Sequence, residues 1–266
     1  MRAAILTMTL ACVAPTDANA ASIAAHAIDY DLALAQLEHG DTVDATGHMS
    51  FRIDDQCDSW TTQQRLQMQT VRRGGDVQNT VTDYATLETK DGRHMAFETV
   101  QKLDDQVQSR VEGEADRRAD GRVAVRYKLP AARTILLPAG TLFPLAHTMA
   151  IVDAARLHKE SIAPRLFDGT SPDDAFDTYV TLEGWSSRNA DAPARSLQAM
   201  GAAQTHVAFF ATGPAVMTPD FEMAARYFEN GVSDRLWMNF GDFAMRGTVA
   251  KFILLPVPRC SSRKHL

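Results

Sequence analysis

The sequence is poor in cysteine, with three in 266 residues. Cys12 lies near the N-terminus, whereas Cys57 and Cys260 are more than 200 residues apart. None of them belongs to a C-x-x-C pair or to a spacing typical of metal ligands. This pattern argues against a redox dithiol and against a cysteine-based metal site.

The sequence also lacks an apolar run of the roughly 20 residues that a membrane-spanning helix needs. The only candidate is short, covering residues 3–14 after Arg2, and it is followed by the small-x-small pattern Ala18-Asn19-Ala20. Such an arrangement predicts a signal peptide over residues 1–20, cleaved near Ala20, and an exported mature chain. The alternative is an ordinary buried N-terminal helix. Lipidation at Cys12 is disfavoured, because the three residues before it form a poor lipobox.

Cleavage at this point would remove Cys12 and leave only Cys57 and Cys260. In an oxidising compartment, an isolated pair of this kind predicts a disulfide, although two separate buried thiols remain the alternative. Closing so long a loop stabilises a fold by up to roughly 5 kcal/mol, and usually by less. The predicted role of the pair is therefore structural.

An excess of basic residues is absent too, since the formal net charge is −6. A mildly acidic chain without a basic patch argues against nucleic-acid binding and against electrostatic docking to anionic lipid. Hydrophobic residues make up 45% of the sequence, which is ample for a sizeable core. With no internal repeat and no clear linker, residues 21–266 are predicted to form one domain.

Common catalytic signatures are missing as well. We find no G-x-S-x-G elbow, phosphate-binding glycine loop, H-E-x-x-H pair or EF-hand spacing. His39 and His48 are interpreted as surface residues. A hydrolase that uses His147 with Asp168 or Ser161 serves only as a contrasting hypothesis. The prediction is a non-enzymatic protein with no catalytic, cofactor-binding or metal-binding residues and no cofactor.

What the sequence does contain is alternation of apolar and polar residues. In residues 43–54, 122–129 and 175–184, apolar and polar side chains alternate with a period of two. This is typical of antiparallel strands with one buried and one solvent-exposed face. Hairpin-type dipeptides lie between or beside such runs: Asp91-Gly92, Asp120-Gly121, Asp168-Gly169, Asn230-Gly231 and Gly241-Asp242. About fourteen candidate strands follow, and a sheet of that size is expected to curl into a barrel-like or coiled form.

Three segments need separate interpretation. Residues 143–159 have helical spacing of apolar side chains, with Pro144 suited to the first turn, so one helix is predicted to plug or cover the curled sheet. Residues 222–228 contain helix-forming residues but are interpreted as a strand, because Asn230-Gly231 and an alternating run follow them. Residues 186–203 are predicted to form a long loop with a helical turn near its end. Trp237 lies on the opposite face of its predicted strand from Leu236 and Met238, and an aromatic side chain there indicates a contact surface.

Several blocks of the sequence resemble the EipB-type cell-envelope integrity proteins, periplasmic proteins of Gram-negative bacteria long labelled a domain of unknown function. The blocks extend over most of the mature chain and include DDQCDSWTTQQRLQM at residues 54–68, the segment 112–156, LFDGTSPDDAFDTYVTLEG at residues 166–184, and the segment 228–256 followed by Cys260. Residues 186–203 match no block of that family.

The resemblance implies a mainly β fold: a many-stranded antiparallel β-spiral, which coils without closing, with an enclosed helix at about residues 143–159. It also implies a disulfide between Cys57 and Cys260 and a role in envelope maintenance without catalytic activity. The first functional hypothesis is support of envelope integrity through binding of another envelope protein. The alternative is a periplasmic carrier that holds a lipid or another hydrophobic ligand inside the coiled sheet, as in the similarly shaped carriers that shuttle lipoproteins.

Overall fold

The computed structural model describes residues 22–38, 40–172, 175–213 and 218–260. Within these ranges the chain forms fifteen strands and two helices. The first eight strands are β1 (His26–Leu37), β2 (Thr42–Asp55), β3 (Ser59–Arg72), β4 (Val77–Thr89), β5 (His94–Leu103), β6 (Gln106–Arg117), β7 (Val123–Leu129) and β8 (Arg133–Leu137). Helix α1 (Pro144–Arg156) follows. The remaining elements are β9 (Ser161–Ile162), β10 (Arg165–Leu166), β11 (Phe176–Ser186), α2 (Arg195–Gln198), β12 (Ala202–Ala211), β13 (Phe221–Phe228), β14 (Ser233–Asn239) and β15 (Phe243–Leu254).

All fifteen strands belong to one sheet, and their named pairings are antiparallel. Strands β10 to β15 follow one another in the sheet, β1 pairs with β15, and β2 to β8 continue the series; β9 pairs with β11. Among the described residues, the end strands β8 and β10 do not pair with each other, and β10 meets the chain beyond β8 at an isolated parallel bridge between Leu142 and Leu166. The sheet therefore coils without closing into a hydrogen-bonded barrel, which confirms the predicted fold class.

The alternation in the sequence places apolar side chains inside the coil. In β1, Ile28, Tyr30 and Leu32 are buried, and Tyr30 lies opposite Met49 of β2. Side chains on a strand alternate between its two faces, so the polar residues between them face outward. Val43 departs from the prediction, because it is 40% exposed near the end of β2 rather than part of the inner face.

Helix α1 lies inside the coil and contacts β9, β11 and β12. Pro144 occupies its first turn, where a missing backbone N–H costs nothing. Ile151, Val152, Ala154 and Ala155 are buried, so this short helix presents an apolar surface to the sheet. It begins one residue after the predicted start and ends at Arg156, three residues before the predicted end.

The other two interpreted segments fold largely as predicted, although Ser186 belongs to β11 and Ala202 and Ala203 belong to β12 rather than to the loop. Residues 222–228 lie in β13, and Asn230-Gly231 forms the turn to β14. The stretch before β12 is mostly irregular and contains α2. This loop is held by Arg226, whose guanidinium donates to Asp191 of the loop at 2.7 Å and to buried Asp234 at 2.8 Å. The buried Arg226–Asp234 pair therefore joins β13 to β14, and the more exposed Asp191 links the loop to it.

The interior beneath β5, β6 and β7 is densely filled. Phe97 contacts Tyr127 and Phe167 edge to face, with ring centroids 5.7 and 5.2 Å away. Gly169 has a φ of +75°, and a Cβ there would lie 2.5 Å from the Phe97 ring. Glycine at position 169 is thus required both by the backbone conformation and by the close approach of the ring.

Candidate functional site

A cavity of about 420 Å³ lies inside the coil, between α1 and the sheet. Pockets that hold small ligands have volumes of roughly 300–1,000 Å³. Strands β1–β4 form one side of this central cavity, and β11–β14 form much of the other side. Leu145, His147 and Thr148 reach it from α1, so the coiling of the sheet and the buried helix together create the site.

The wall formed by β3 and β4 carries uncharged polar side chains. Thr62, Gln64, Thr82 and Tyr84 all line the cavity. They share one face because Gln64 lies opposite Tyr84 in the β3–β4 register and the other two are two residues away along each strand. The Tyr84 hydroxyl donates to the backbone carbonyl of Asp168 at 3.0 Å, and burial raises its pKa.

The opposite wall is aromatic and apolar. Phe176 of β11, Phe209 of β12 and Phe221 and Met223 of β13 line it. Phe209 lies between the other two rings, with centroids 6.2 Å from Phe176 and 5.6 Å from Phe221. The cavity therefore has one side that can form hydrogen bonds and one side suited to hydrocarbon.

His147 lines the cavity but is held by a structural hydrogen bond. Its Nε2 lies 3.0 Å from Thr178 Oγ1, and the Thr178 hydroxyl donates to the Pro164 carbonyl at 2.6 Å. Since that hydroxyl proton is used, Nε2 carries the imidazole proton. Burial lowers the pKa of His147 to about 4, which keeps the ring neutral at physiological pH. No hydrogen bond joins His147 to Asp168 or Ser161 within the described residues.

Two buried carboxyl groups lie near the same region. Glu88 accepts from the backbone N–H of Leu145 at 3.3 Å, so a β4 side chain caps the N-terminus of α1. Burial nevertheless raises the pKa of Glu88 to about 8. Asp168 lines the cavity, accepts two hydrogen bonds from Thr170 and also has a raised pKa because of burial. Asp168 is itself partly exposed in the structure.

No lysine or arginine lines the central cavity among the residues that the structure describes. The same residues contain no group of three or more His, Cys, Asp or Glu side chains suited to a metal ion. The cavity can therefore bind hydrocarbon and uncharged hydrogen-bonding groups, and it offers no permanent positive charge to an anion.

A second concavity, of about 560 Å³, lies on the outer face of β1–β5. Charged side chains line it, including Arg65 and Asp83, which pair with each other at 2.8 Å. Because these charges neutralise one another in an open surface, the outer concavity offers less to a hydrophobic ligand than the central cavity.

The structure joins Cys57 and Cys260, with an S–S distance of 2.03 Å. Cys57 lies in the turn between β2 and β3, and Cys260 lies beyond the end of β15. Since β1 separates β2 from β15 in the sheet, the disulfide bridges across the N-terminal strand. Neither cysteine lines the central cavity, so the disulfide acts as a structural link between the ends of β2 and β15.

Other residues singled out in the sequence lie away from the cavity. Trp237 is on the outer face of β14, with its ring centroid 6.2 Å from that of His206. His48 is on the outer face and lies 3.3 Å from Asp31. His39 and the predicted signal peptide, residues 1–20, lie outside the described residues. None of the helices in the described ranges is long and apolar enough to cross a membrane.

Sequence reasoning missed the cavity residues, although β3 contains one signal. Its inward positions are Trp60, Thr62, Gln64, Leu66 and Met68, so two polar residues interrupt an otherwise apolar face. A polar residue at an inward position either meets a buried partner or faces a space. The sequence alone does not distinguish these two cases, because the partner would come from a distant strand.

These features define a class: an open, coiled antiparallel sheet that encloses one helix and a cavity with a polar and an apolar wall. Comparison with known proteins then gives the family. A family described as EipB-like matches residues 17–256, and the chain belongs to it.

Two relatives support this assignment. The chain is 26% identical to the cell envelope integrity protein EipB of Brucella abortus (strain 2308) over 247 residues, which cover 90% of this chain and 86% of the relative. It also matches the crystal structure of a β-barrel-like protein of a domain of unknown function from Brucella abortus. That match has a TM-score of 0.81 and 23% identity, and it covers 89% of this chain and 100% of the solved chain. The second likeness shows the fold.

Proposed function

We propose that this chain is a periplasmic, non-catalytic protein that supports cell-envelope integrity by holding a hydrophobic ligand in its central cavity. The envelope role is supported by membership in the EipB-like family and by the name of the Brucella relative. The N-terminal segment, with its pattern of a signal peptide, supports export.

The main support for ligand binding is the central cavity itself. Protein interiors are normally packed as densely as organic crystals, and an unfilled apolar space loses dispersion contacts along its lining. A volume of about 420 Å³ that is lined by Phe176, Phe209, Phe221 and Met223 is therefore costly to leave empty. A hydrophobic ligand restores those contacts.

The position of His147 supports a role without catalysis. A general base is most effective with a pKa near the operating pH, whereas burial lowers the pKa of His147 to about 4. Its Nε2 is also occupied by the hydrogen bond to Thr178. Replacement of His147 by alanine is therefore expected to weaken the link between α1 and β11 rather than to remove a catalytic step.

The proposal can be tested by filling the cavity. Thr82→Trp adds a large side chain inside the cavity, whereas Ala85→Trp adds the same side chain to the outer face of the same strand. Native mass spectrometry of protein purified from the periplasm should show a bound lipid-sized mass in the wild type and in Ala85→Trp, and much less in Thr82→Trp. An interior without bound hydrophobic molecules in the wild type would refute the proposal.

A second candidate function, binding of another envelope protein, is favoured by one observation. At one end of the sheet, the ends of β1, β2, β4 and β6 expose apolar side chains: Leu37, Val43, Val77 and Val107. Val77→Glu with Val107→Glu should then abolish capture of a specific envelope protein, while Thr82→Trp should not. Unchanged capture by the double variant would exclude this surface.

A further inference from the structure

The walls of the central cavity carry hydrogen-bonding groups that the protein itself does not satisfy. The amide of Gln64 and the hydroxyls of Thr82 and Tyr227 line the cavity and have no hydrogen-bond partner within the described ranges. Burial raises the pKa of Tyr227 to about 12, so its hydroxyl remains a proton donor. Together these groups can donate to, and accept from, a molecule in the cavity.

A further unsatisfied group lies in the same wall. Thr62 is 4% exposed, and its Oγ1 has no hydrogen-bond partner among the described residues. Buried polar atoms are nearly always hydrogen-bonded, because an unmade hydrogen bond in a dry site costs free energy. Thr62 lies two residues from Gln64 on β3, so the unsatisfied groups are clustered along β3 and β4.

The charges of the site limit what these groups can recognise. No arginine or lysine among the described residues lines the cavity, and His147 is kept neutral by burial. Within the described part of the chain, Asp168 is the only carboxyl group in the lining, and it already accepts two hydrogen bonds from Thr170. A phosphate or carboxylate placed here would lose its hydration without gaining a cation, which strongly disfavours binding.

We propose that the central cavity selects an uncharged amphiphile, in which a hydrocarbon chain ends in hydroxyl, ester or amide groups, over anionic lipids of the same chain. This inference rests on the proposed function, because it names the class of ligand for the same site. The hydrocarbon packs against Phe209, Phe221 and Met223, and the uncharged polar groups meet Gln64 and Thr82.

The discriminating experiment uses two ligands that differ by one phosphate. Binding of 1-oleoylglycerol and of 1-oleoylglycerol-3-phosphate to the delipidated mature protein is measured by titration in native mass spectrometry and by isothermal calorimetry. A hydrocarbon without a polar group, hexadecane, reports on occupancy of the apolar wall alone. We expect 1-oleoylglycerol to bind at least about tenfold more tightly than its phosphate.

Variants of neighbouring glutamines test the role of the polar wall. Gln64→Leu removes the inward amide and should weaken binding of 1-oleoylglycerol by about tenfold while hexadecane binding is kept. Gln64→Lys supplies a cation and should reverse the preference toward the phosphate. The matched control is Gln63→Leu, which changes the adjacent residue on the outer face of β3 and should leave all affinities unchanged. Circular dichroism spectra verify that each variant is folded.

The outcomes separate this inference from the proposed function. If the phosphate binds as tightly as 1-oleoylglycerol, or if Gln64→Leu changes nothing, the inference is wrong although the cavity still binds hydrophobic molecules. If neither lipid nor hexadecane binds to the folded wild-type protein, both are wrong, and water satisfies Thr62 and Gln64. Tighter binding of 1-oleoylglycerol with reversal by Gln64→Lys establishes the inference.

Discussion

The interior beneath β5–β7 is filled by the rings of Phe97, Tyr127 and Phe167, whereas β3, β4, β12 and β13 enclose a cavity of about 420 Å³. Both regions belong to one continuous sheet with the same alternation of side chains. They differ in the side chains that point inward. In the first region large aromatic rings fill the interior, and Gly169 leaves room for the ring of Phe97. In the second region Gln64 and Thr82 lie across the cavity from phenylalanines. The filled region therefore provides stability, and the hollow region is free to serve binding.

The largest expected effect comes from the filled region. Phe97→Ala removes a side chain that is 3% exposed and should lower the free energy of unfolding by about 3–5 kcal/mol. Phe221→Ala removes the same side chain from the cavity wall, where it is only half-buried, and should cost about 1–2 kcal/mol. Urea denaturation measures both values. Equal losses would contradict the division into a filled and a hollow region.

The disulfide is expected to have the next largest effect. Cys57→Ser or Cys260→Ser should lower the free energy of unfolding by about 2–4 kcal/mol, because the unfolded chain is no longer constrained by a loop of 203 residues. The envelope-stress phenotype of a deletion strain should reappear with either variant. The double variant should be no less stable than the single ones. Variants that match the wild type in denaturation and in function would show that the disulfide is dispensable.

A smaller effect is expected from Glu88 at the boundary of the two regions. Its folded pKa of about 8 lies above the ordinary value of 4.5, so its contribution is fully present below pH 4.5 and is lost as the pH rises through about 8. Glu88→Gln should therefore be more stable than the wild type at pH 9, by about 1–3 kcal/mol, and should lose this advantage toward pH 5.

The pH range and a matched variant isolate this effect. The pKa of His147 is lowered to about 4, so its contribution is present above pH 6.5 and is lost as the pH falls through about 4. Because burial also raises the pKa of Asp168, the difference between the wild type and Glu88→Gln between pH 7 and pH 9 is what reports on Glu88. Glu98→Gln, on the outer face of β5, is the control and should leave the pH profile unchanged. If the free energy of unfolding of the wild type does not decrease between pH 7 and pH 9, Glu88 is not desolvated.

The regular elements could be predicted from the sequence because their signals are local. Alternation identified β2, β7 and β11, and Asn230-Gly231 together with the run beyond it correctly favoured a strand over a helix for residues 222–228. The end of α1 was less well predicted, since helix-forming residues continue past Arg156 while His158 adopts a positive φ of 54°. The exposure of Val43 was also missed, because it lies at a register shift between Thr42 and Asp44 near the start of β2.

The candidate site could not be predicted, because its parts are distant in the sequence. Gln64 and Phe221 line one cavity only because the sheet coils and brings β3 and β13 to face each other across the interior. The partner of His147 is Thr178, in a strand whose position depends on the whole path of the sheet. The volume between the walls, on which the proposed ligand binding rests, has no signal in the sequence.

The pairing of β1 with β15 has a consequence for how the chain assembles. Nearly every other neighbour in the sheet is also a neighbour along the chain, so hairpins can form as the polypeptide emerges. The contact between the first strand and the last has to wait until synthesis is finished. Until then the edges of β1 and β14 that β15 will cover are unpaired, and unpaired strand edges can pair with the wrong strand.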